Sequence, residues 1–360
     1  MSALLSTVSW FSLRRGIHSP AVLCRVAKNL GYTAVALTDR DNLYGLPCFL
    51  DACRDNDLRP IIGAEVTQGN VSVLLYARGD KGYANLCRVL TKRHCDERFS
   101  LVHVLREHAA GLVAVTAERS LLEEFNEYGE IWYRMIRPRR PPAWVRERAI
   151  PCLVVPVAVF ISPYDYDTHC LLRAIDRGTT PSRLEPAETF PADARLRSWT
   201  EIRERFEVFD RAIEATQRLG ESIHSRSDFS TPILPRYPTN EPALERLRRK
   251  AFVGARRRYG GLPERVAARL DYELDIIGRK GFAPYFLVVD DIVGRSPRTC
   301  GRGSGAASIV AYSLGITNVE PLRYNLMFER FINPGRIDPP VLDIVFALDE
   351  RDEVIEYVVK

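Results

Sequence analysis

Ala34-Val35-Ala36-Leu37-Thr38 and Pro60-Ile61-Ile62-Gly63-Ala64-Glu65-Val66 decide the fold of this 360-residue chain. Each is a short, almost unbroken apolar run, the pattern of a strand buried on both faces. A helical pattern over 19–30 precedes the first. Val71 to Tyr76, Gly111 to Val115 and Pro151 to Val155 repeat the strand signal. Short strands alternating with helices predict an α/β barrel or layered sheet. Farther on, Glu201 to Ser222 reads as one solvated amphipathic helix, and the proline-rich Pro232 to Pro238 as the end of a first domain. Glu241 to Tyr259 and Pro263 to Arg279 read as charged helices, and Tyr285 to Val293 as a buried strand.

The chain is long enough for two domains with their own cores. Fifty-one Lys and Arg against 46 Asp and Glu give a net charge of +5. That balance permits a polyanionic partner without requiring one. Arg246, Arg248, Arg249, Lys250, Arg256, Arg257 and Arg258 crowd one helical segment, and Arg134, Arg137, Arg139 and Arg140 form a second patch. Either is a candidate DNA surface, although such runs are more often solvated faces. The eight cysteines include no Cys-x-x-Cys pair, which argues against a zinc knuckle and fits reduced thiols in the cytoplasm. No apolar run approaches the roughly 18 residues that span a bilayer, so no membrane partner is expected.

The motif richest in chemistry is Gly301-Arg302-Gly303-Ser304, which opens the small-residue stretch Gly305-Ala306-Ala307-Ser308. A Gly-rich turn before a helix exposes backbone amides to a phosphate. Arg302 adds a fixed charge and Ser304 a hydroxyl. Pro340-Val341-Leu342-Asp343-Ile344-Val345-Phe346 follows. Period-two spacing puts 341, 343 and 345 on one strand face, which shows valine, aspartate, valine. Nucleotidyl transfer with two divalent metals needs two or three carboxylates there. Asp338, Asp349 and Asp352 lie outside that spacing.

Several segments, in order, resemble bacterial DNA polymerase III alpha subunits. Phe11-Ser12-Leu13, Ala36 to Gly45, Pro60 to Glu65 and Gly82 to Cys87 are similar to the PHP domain of that family. Lys280 to Val289, Gly301 to Thr317 and Phe328 to Pro334 are similar to its polymerase region. The error-prone branch is the closer likeness. The resemblance implies a PHP-like distorted (β/α) barrel over 1–232, a helical connection over 233–279 and a partial nucleotidyltransferase-type palm over 280–360. It also implies that family members continue well past the position of Lys360.

PHP domains hold metals on clustered His and Asp or Glu. The implied opening His-x-His falls on Ser6-Thr7-Val8, the family's Thr-Asp-His on Thr38-Asp39-Arg40, and a later Asp-x-His on Ala158-Val159-Phe160. Asp39 and Glu65 survive as a residual metal pair, expected to be empty because an arginine in the cluster repels a cation. In the palm, the resemblance implies Pro-Asp-x-Asp-x-Asp-Phe with the second and third Asp as metal ligands; Asp343 matches the second, while Val345 replaces the third and Val341 the first. Gly301, Arg302, Gly303, Ser304 and Arg351 are the implied nucleotide-phosphate residues, with Arg330 and Arg336 as further phosphate candidates. The family uses Mg²⁺, DNA and dNTPs. The expected function is therefore that of the amino-terminal part of a replicative or error-prone DNA polymerase, inactive alone. A non-catalytic module that binds DNA or a polymerase accessory protein and a residual PHP metallophosphoesterase are the alternatives. Residues 280–360, with an apolar strand exposed, are expected to be the least stable part.

Overall fold

The computed structural model describes residues 2–125, 128–225, 229, 233–335 and 338–359. Arg336 and the start of the proline-rich segment at Pro232 lie outside them. The chain divides into two compact units, 1–229 and 230–360.

The first unit is built on a seven-stranded sheet whose spatial order equals its sequence order. Its strands are β1 (Ala3–Leu4), β2 (Ala34–Leu37), β3 (Arg59–Gln68), β4 (Val71–Ala77), β5 (Leu112–Thr116), β6 (Glu130–Met135) and β7 (Cys152–Val154). β1, β2 and β3 are parallel, β4 runs antiparallel to both neighbours, and β5, β6 and β7 are parallel again. The sheet is a curled half-barrel rather than a closed barrel: among the described residues β1 pairs only with β2, and β7 only with β6.

Both faces are buried, which explains the unbroken apolar runs. Ala34, Ala36 and Ile61 join Leu74, Tyr76, Val113 and Leu153 on one face. Val35, Leu37 and Ile62 face the other way, into the larger core made with the flanking helices. The helix Pro20–Asn29 starts where Ser19 accepts a bond from the Val22 amide, a side-chain cap reinforced by proline at the first position.

The segment 201–222 departs from its reading. It breaks into a helix Trp199–Arg205, a short turn and a helix Asp210–Ser222. The second helix is not a solvated element: it buries Ala212, Ile213, Ala215 and Leu219, and the Thr216 hydroxyl accepts from the Val154 amide of β7. Its charged residues fill the outer face alone, and small residues on the inner face hid the buried stripe. β1 and β6 were not recognised. The first is two residues long, and the second interrupts its apolar pattern with Glu130 and Arg134.

In the second unit, helices Ala243–Tyr259, Glu264–Arg279, Ala283–Val293 and Ile309–Leu314 pack around one core containing Leu247, Leu270, Ile277, Phe286, Val310 and Phe331. The expected connection over 233–279 is thus part of this core. The expected strand Tyr285 to Val293 is a helix, Ala283–Val293, with Pro284 in its first turn. Its apolar residues are too continuous to display a period, so length was the better guide. A two-stranded antiparallel sheet, β8 (Thr299–Arg302) and β9 (Asp343–Phe346), lies beside these helices. The chain then enters a helix Leu348–Val359.

Candidate functional site

Two places gather the chemistry picked out in the sequence, one in each unit. In the first, Asp39 follows β2 and is 1% exposed. Its carboxylate accepts from the Ser9 amide at 2.8 Å, the Ser9 hydroxyl at 2.7 Å and the Ser12 hydroxyl at 2.7 Å. Burial raises its pKa, and the bonds from Ser12 and Ser9 act in the opposite direction. Glu65, on β3, is half-buried. Its backbone forms a parallel bridge with Arg40, and its amide donates to the Asp39 carbonyl at 3.0 Å. The two carboxylates therefore come from neighbouring strands, but only Glu65 lines an open cleft.

The positions implied for imidazoles have been rebuilt. The Thr7 hydroxyl donates to the Ala36 carbonyl at 2.6 Å. The Ser6 hydroxyl accepts from Arg134 at 3.3 Å, and Arg134 also donates to the Val155 carbonyl at 3.0 Å. Val8, Val159 and Phe160 pack together as apolar core. Arg134 is buried, and burial lowers its pKa while Tyr76 and Glu65 oppose that. It belongs to the interior, not to a surface patch with the exposed Arg137, Arg139 and Arg140. Strand alternation turned it inward, a signal available in the sequence only once β6 is recognised.

The histidines do not restore a metal site. The ring of His169 is enclosed: one nitrogen accepts from the Phe190 amide at 3.0 Å, so the other donates to the Arg15 carbonyl at 2.7 Å. Burial pushes its pKa down to about 4, leaving it neutral. His18 bonds Asp165 at 2.7 Å. Among the described residues no group of three His, Cys, Asp or Glu side chains converges as metal ligands would. One carboxylate satisfied by hydroxyls and another faced by guanidinium groups do not fit a divalent metal.

In the second unit, β8 and β9 place Arg302 directly opposite Asp343. Asp343 is exposed, and so are Val341 at 61% and Val345 at 46%. Ile344 and Leu342 turn toward the core instead. The face thus carries a single carboxylate between two valines, whose side chains offer no metal ligand. Gly303 has φ +69°, and a Cβ there would meet an Asp343 oxygen at 3.4 Å. Its turn brings backbone beside the carboxylate and favours glycine. Gly301 has a different reason to be glycine: a Cβ would lie 2.5 Å from the Ile316 carbonyl oxygen. Packing alone therefore demands it. Arg302 and Ser304 are exposed.

The helix after the loop does not offer its N-terminus to a ligand. Glu273 is fully buried and accepts from the Ile309 amide at 3.0 Å, the Val310 amide at 3.2 Å, the Ser308 hydroxyl at 2.8 Å and Arg269 at 2.8 Å. The Ser308 hydroxyl caps the Ala311 amide at 3.1 Å. The protein's own carboxylate takes up the first amides of this helix. The sequence reading missed Glu273, since nothing local links it to a helix that starts 36 residues later.

Arg351 pairs with Asp352 at 2.9 Å, and Arg298 with Asp349. Arg330 is exposed. Most of the basic segment 246–258 is engaged locally: Arg246 and Arg249 with Glu241, Arg248 with Asp271, Lys250 with Asp290, and Arg258 with the Thr317 carbonyl.

The family model of the PHP domain matches residues 5–153, and that of the bacterial DNA polymerase III alpha NTPase domain matches 245–360. DNA polymerase III subunit alpha of Halalkalibacterium halodurans is 33% identical over 96% of this chain and 35% of its own length. That of Bacillus subtilis is 30% identical over 98% of this chain and 35% of its own length. The chain thus spans about a third of the length of the curated relatives it matches. These names give no support to the error-prone branch. Among solved structures, an amidohydrolase from Chromobacterium violaceum aligns at 14% identity with a TM-score of 0.30, covering 57% of this chain and 97% of that one. A likeness that weak decides nothing about the site. No helix among the described residues is long and apolar enough to cross a membrane.

Proposed function

We propose, on the premise that this chain is homologous to the PHP and early polymerase regions of bacterial DNA polymerase III alpha subunits, that it is a polymerase-derived module without nucleotidyl transfer of its own. One observation carries the reading: Asp343, at the start of β9, is exposed between the exposed side chains of Val341 and Val345. Two-metal transfer requires carboxylates that bridge and position both ions. A single carboxylate opposite Arg302 cannot hold two Mg²⁺ ions in octahedral oxygen shells. The family's use of DNA, dNTPs and Mg²⁺ gives the setting in which the module acts, in the cytoplasm and in replication or repair.

Within that setting Gly303, Arg302 and Ser304 are the residues left to contact a phosphate. Gly301 supports the turn by packing, and Arg351 is a further candidate, paired with Asp352. Primer extension by the purified chain with dNTPs and Mg²⁺ tests the reading. No incorporation is expected. Template-dependent incorporation that disappears in Asp343→Asn would overturn it.

The second reading, a module that binds DNA or a polymerase accessory protein, draws on Arg137, Arg139 and Arg140, exposed together after β6. A salt titration with single-stranded DNA separates the two. Phosphate contacts give binding that weakens steeply with salt, and absence of binding at low salt ends this reading. A residual PHP metallophosphoesterase is disfavoured by the rebuilt centre around Asp39. Stoichiometric zinc or manganese in the purified chain, lost in Asp39→Ala, would revive it.

A further inference from the structure

The cleft beside Glu65 has a volume of about 770 Å³, within the range of small-molecule sites. Four arginines line it, Arg15, Arg40, Arg173 and Arg177, against the three carboxylates Glu65, Asp176 and Glu188. Four against three leaves one positive charge, and the pairing shows where it lies. Arg173 bonds Asp176 at 2.5 Å and Arg177 bonds Glu188 at 2.8 Å. Arg14 reaches Asp176 as well, at 3.1 Å. Asp176 and Glu188 are thus satisfied without Arg15 or Arg40.

The remaining two arginines, Arg15 and Arg40, line the cleft with Glu65. Arg15 lies over the Phe190 ring at 5.0 Å, and its buried Nε has no hydrogen-bond partner among the described residues. Arg40 comes no nearer than 4.0 Å to Asp41, whose oxygens already accept from the Thr67 amide and hydroxyl at 2.8 and 2.6 Å. Arg93 also faces Asp41, at 3.5 Å. Burial, with Arg40 and then Arg173, lowers the Arg15 pKa to about 10, while Glu65 and Asp176 only partly offset them. Two guanidinium groups and one carboxylate at the same cleft leave a positive field that a second anion would complete.

We propose that this cleft is a metal-independent receptor for a phosphate group, gripped by Arg15 and Arg40. A guanidinium fork matches the spacing of two phosphate oxygens, and partial burial strengthens the contact relative to open solvent. Glu65 lies at the same place and opposes the incoming charge, so it sets the affinity from the other side. The site uses side chains that a metal centre would exclude, and it does not rest on the polymerase reading above. The phosphate is either free or the terminal group of a nucleic acid strand, and the cleft has room for both.

Calorimetry on the complete chain, with sodium phosphate at constant ionic strength, tests the proposal. Saturable binding is expected in the wild type. Arg40→Gln, at a half-buried position, weakens it at least tenfold. Glu65→Gln tightens it threefold or more, a gain that no folding defect imitates. A single-stranded oligonucleotide with a 5′-phosphate, compared with its 5′-hydroxyl twin, distinguishes the sources. A preference for the phosphorylated strand that Arg40→Gln removes assigns the site to strand ends. Equal affinity for the two strands, with phosphate still bound, assigns it to free phosphate. The proposal is overturned if phosphate shows no saturable binding to wild type or Glu65→Gln, or if folded Arg40→Gln binds it as the wild type does.

Discussion

The two units differ at the positions where the family resemblance implies metal ligands. Around Asp39 the interior is closed: serines satisfy the carboxylate, Arg134 bonds Ser6 and the Val155 carbonyl, and Val8 packs with Val159 and Phe160. Around Asp343 nothing has been closed. Val341 and Val345 simply stand in solvent on either side of it. A buried imidazole can be replaced only if its neighbours repack and its hydrogen bonds are reassigned. An exposed aspartate can become valine with little consequence for folding. The first place is therefore locked by its packing, whereas the second differs from a three-carboxylate face by two surface side chains.

Glu273 is the buried exception within the second unit, and its loss should have the largest effect. Glu273→Ala leaves Arg269, two amides and the Ser308 hydroxyl without their acceptor. The expected destabilisation is about 3–5 kcal/mol, read from urea denaturation. A change below about 1 kcal/mol would show that water replaces the carboxylate freely and that the helix N-terminus is open to ligands.

Returning an imidazole to the first unit should be nearly as costly. Val8→His forces a polar ring into the cluster with Val159, Phe160 and Ala194. The expected cost is about 2–4 kcal/mol. A stable variant that binds zinc would break the contrast between a closed and an open site.

Acid should act on the first unit through His169. Its folded pKa, about 4, lies below the ordinary 6.5 because burial disfavours the charged ring. Between those values the unfolded chain binds the extra proton and the folded chain does not. Stability is therefore full above pH 6.5, falls as pH drops toward 4, and levels below it. The loss is up to about 3 kcal/mol. Unfolding curves across that window should show the slope in wild type and not in His169→Asn; equal slopes would remove His169 from the account.

The smallest effect belongs to the open face. Val341→Asp combined with Val345→Asp should change stability by less than about 0.5 kcal/mol and give one face three carboxylates. Manganese binding, followed by electron paramagnetic resonance, should rise from undetectable to measurable. No gain in binding would mean that β9 is not held straight enough to converge its ligands.

Much of this was legible in the chain itself. Period-two spacing placed 341, 343 and 345 together on one face, because strand geometry fixes alternation locally, and the structure shows that face to be exposed. Unbroken apolar runs identified β2, β3 and β5 as strands covered on both faces. Local pattern failed where it carried no period or a misleading one. Ala283–Val293 is too evenly apolar to announce a helix, and Asp210–Ser222 hides its buried face behind alanine, threonine and glycine.

The sequence by itself determined the inventory: which side chains stand at the positions that the resemblance implies for carboxylates and imidazoles, and which family the motifs resemble. Tertiary structure alone decided the partners. Glu273 reaches a helix 36 residues ahead, Arg134 reaches Ser6 across the sheet, and Arg15 meets Arg40 and Glu65 at one cleft. Hydrogen bonds and charge act through space over a few ångströms. Residues far apart in the chain acquire their roles only when packing brings them within that reach.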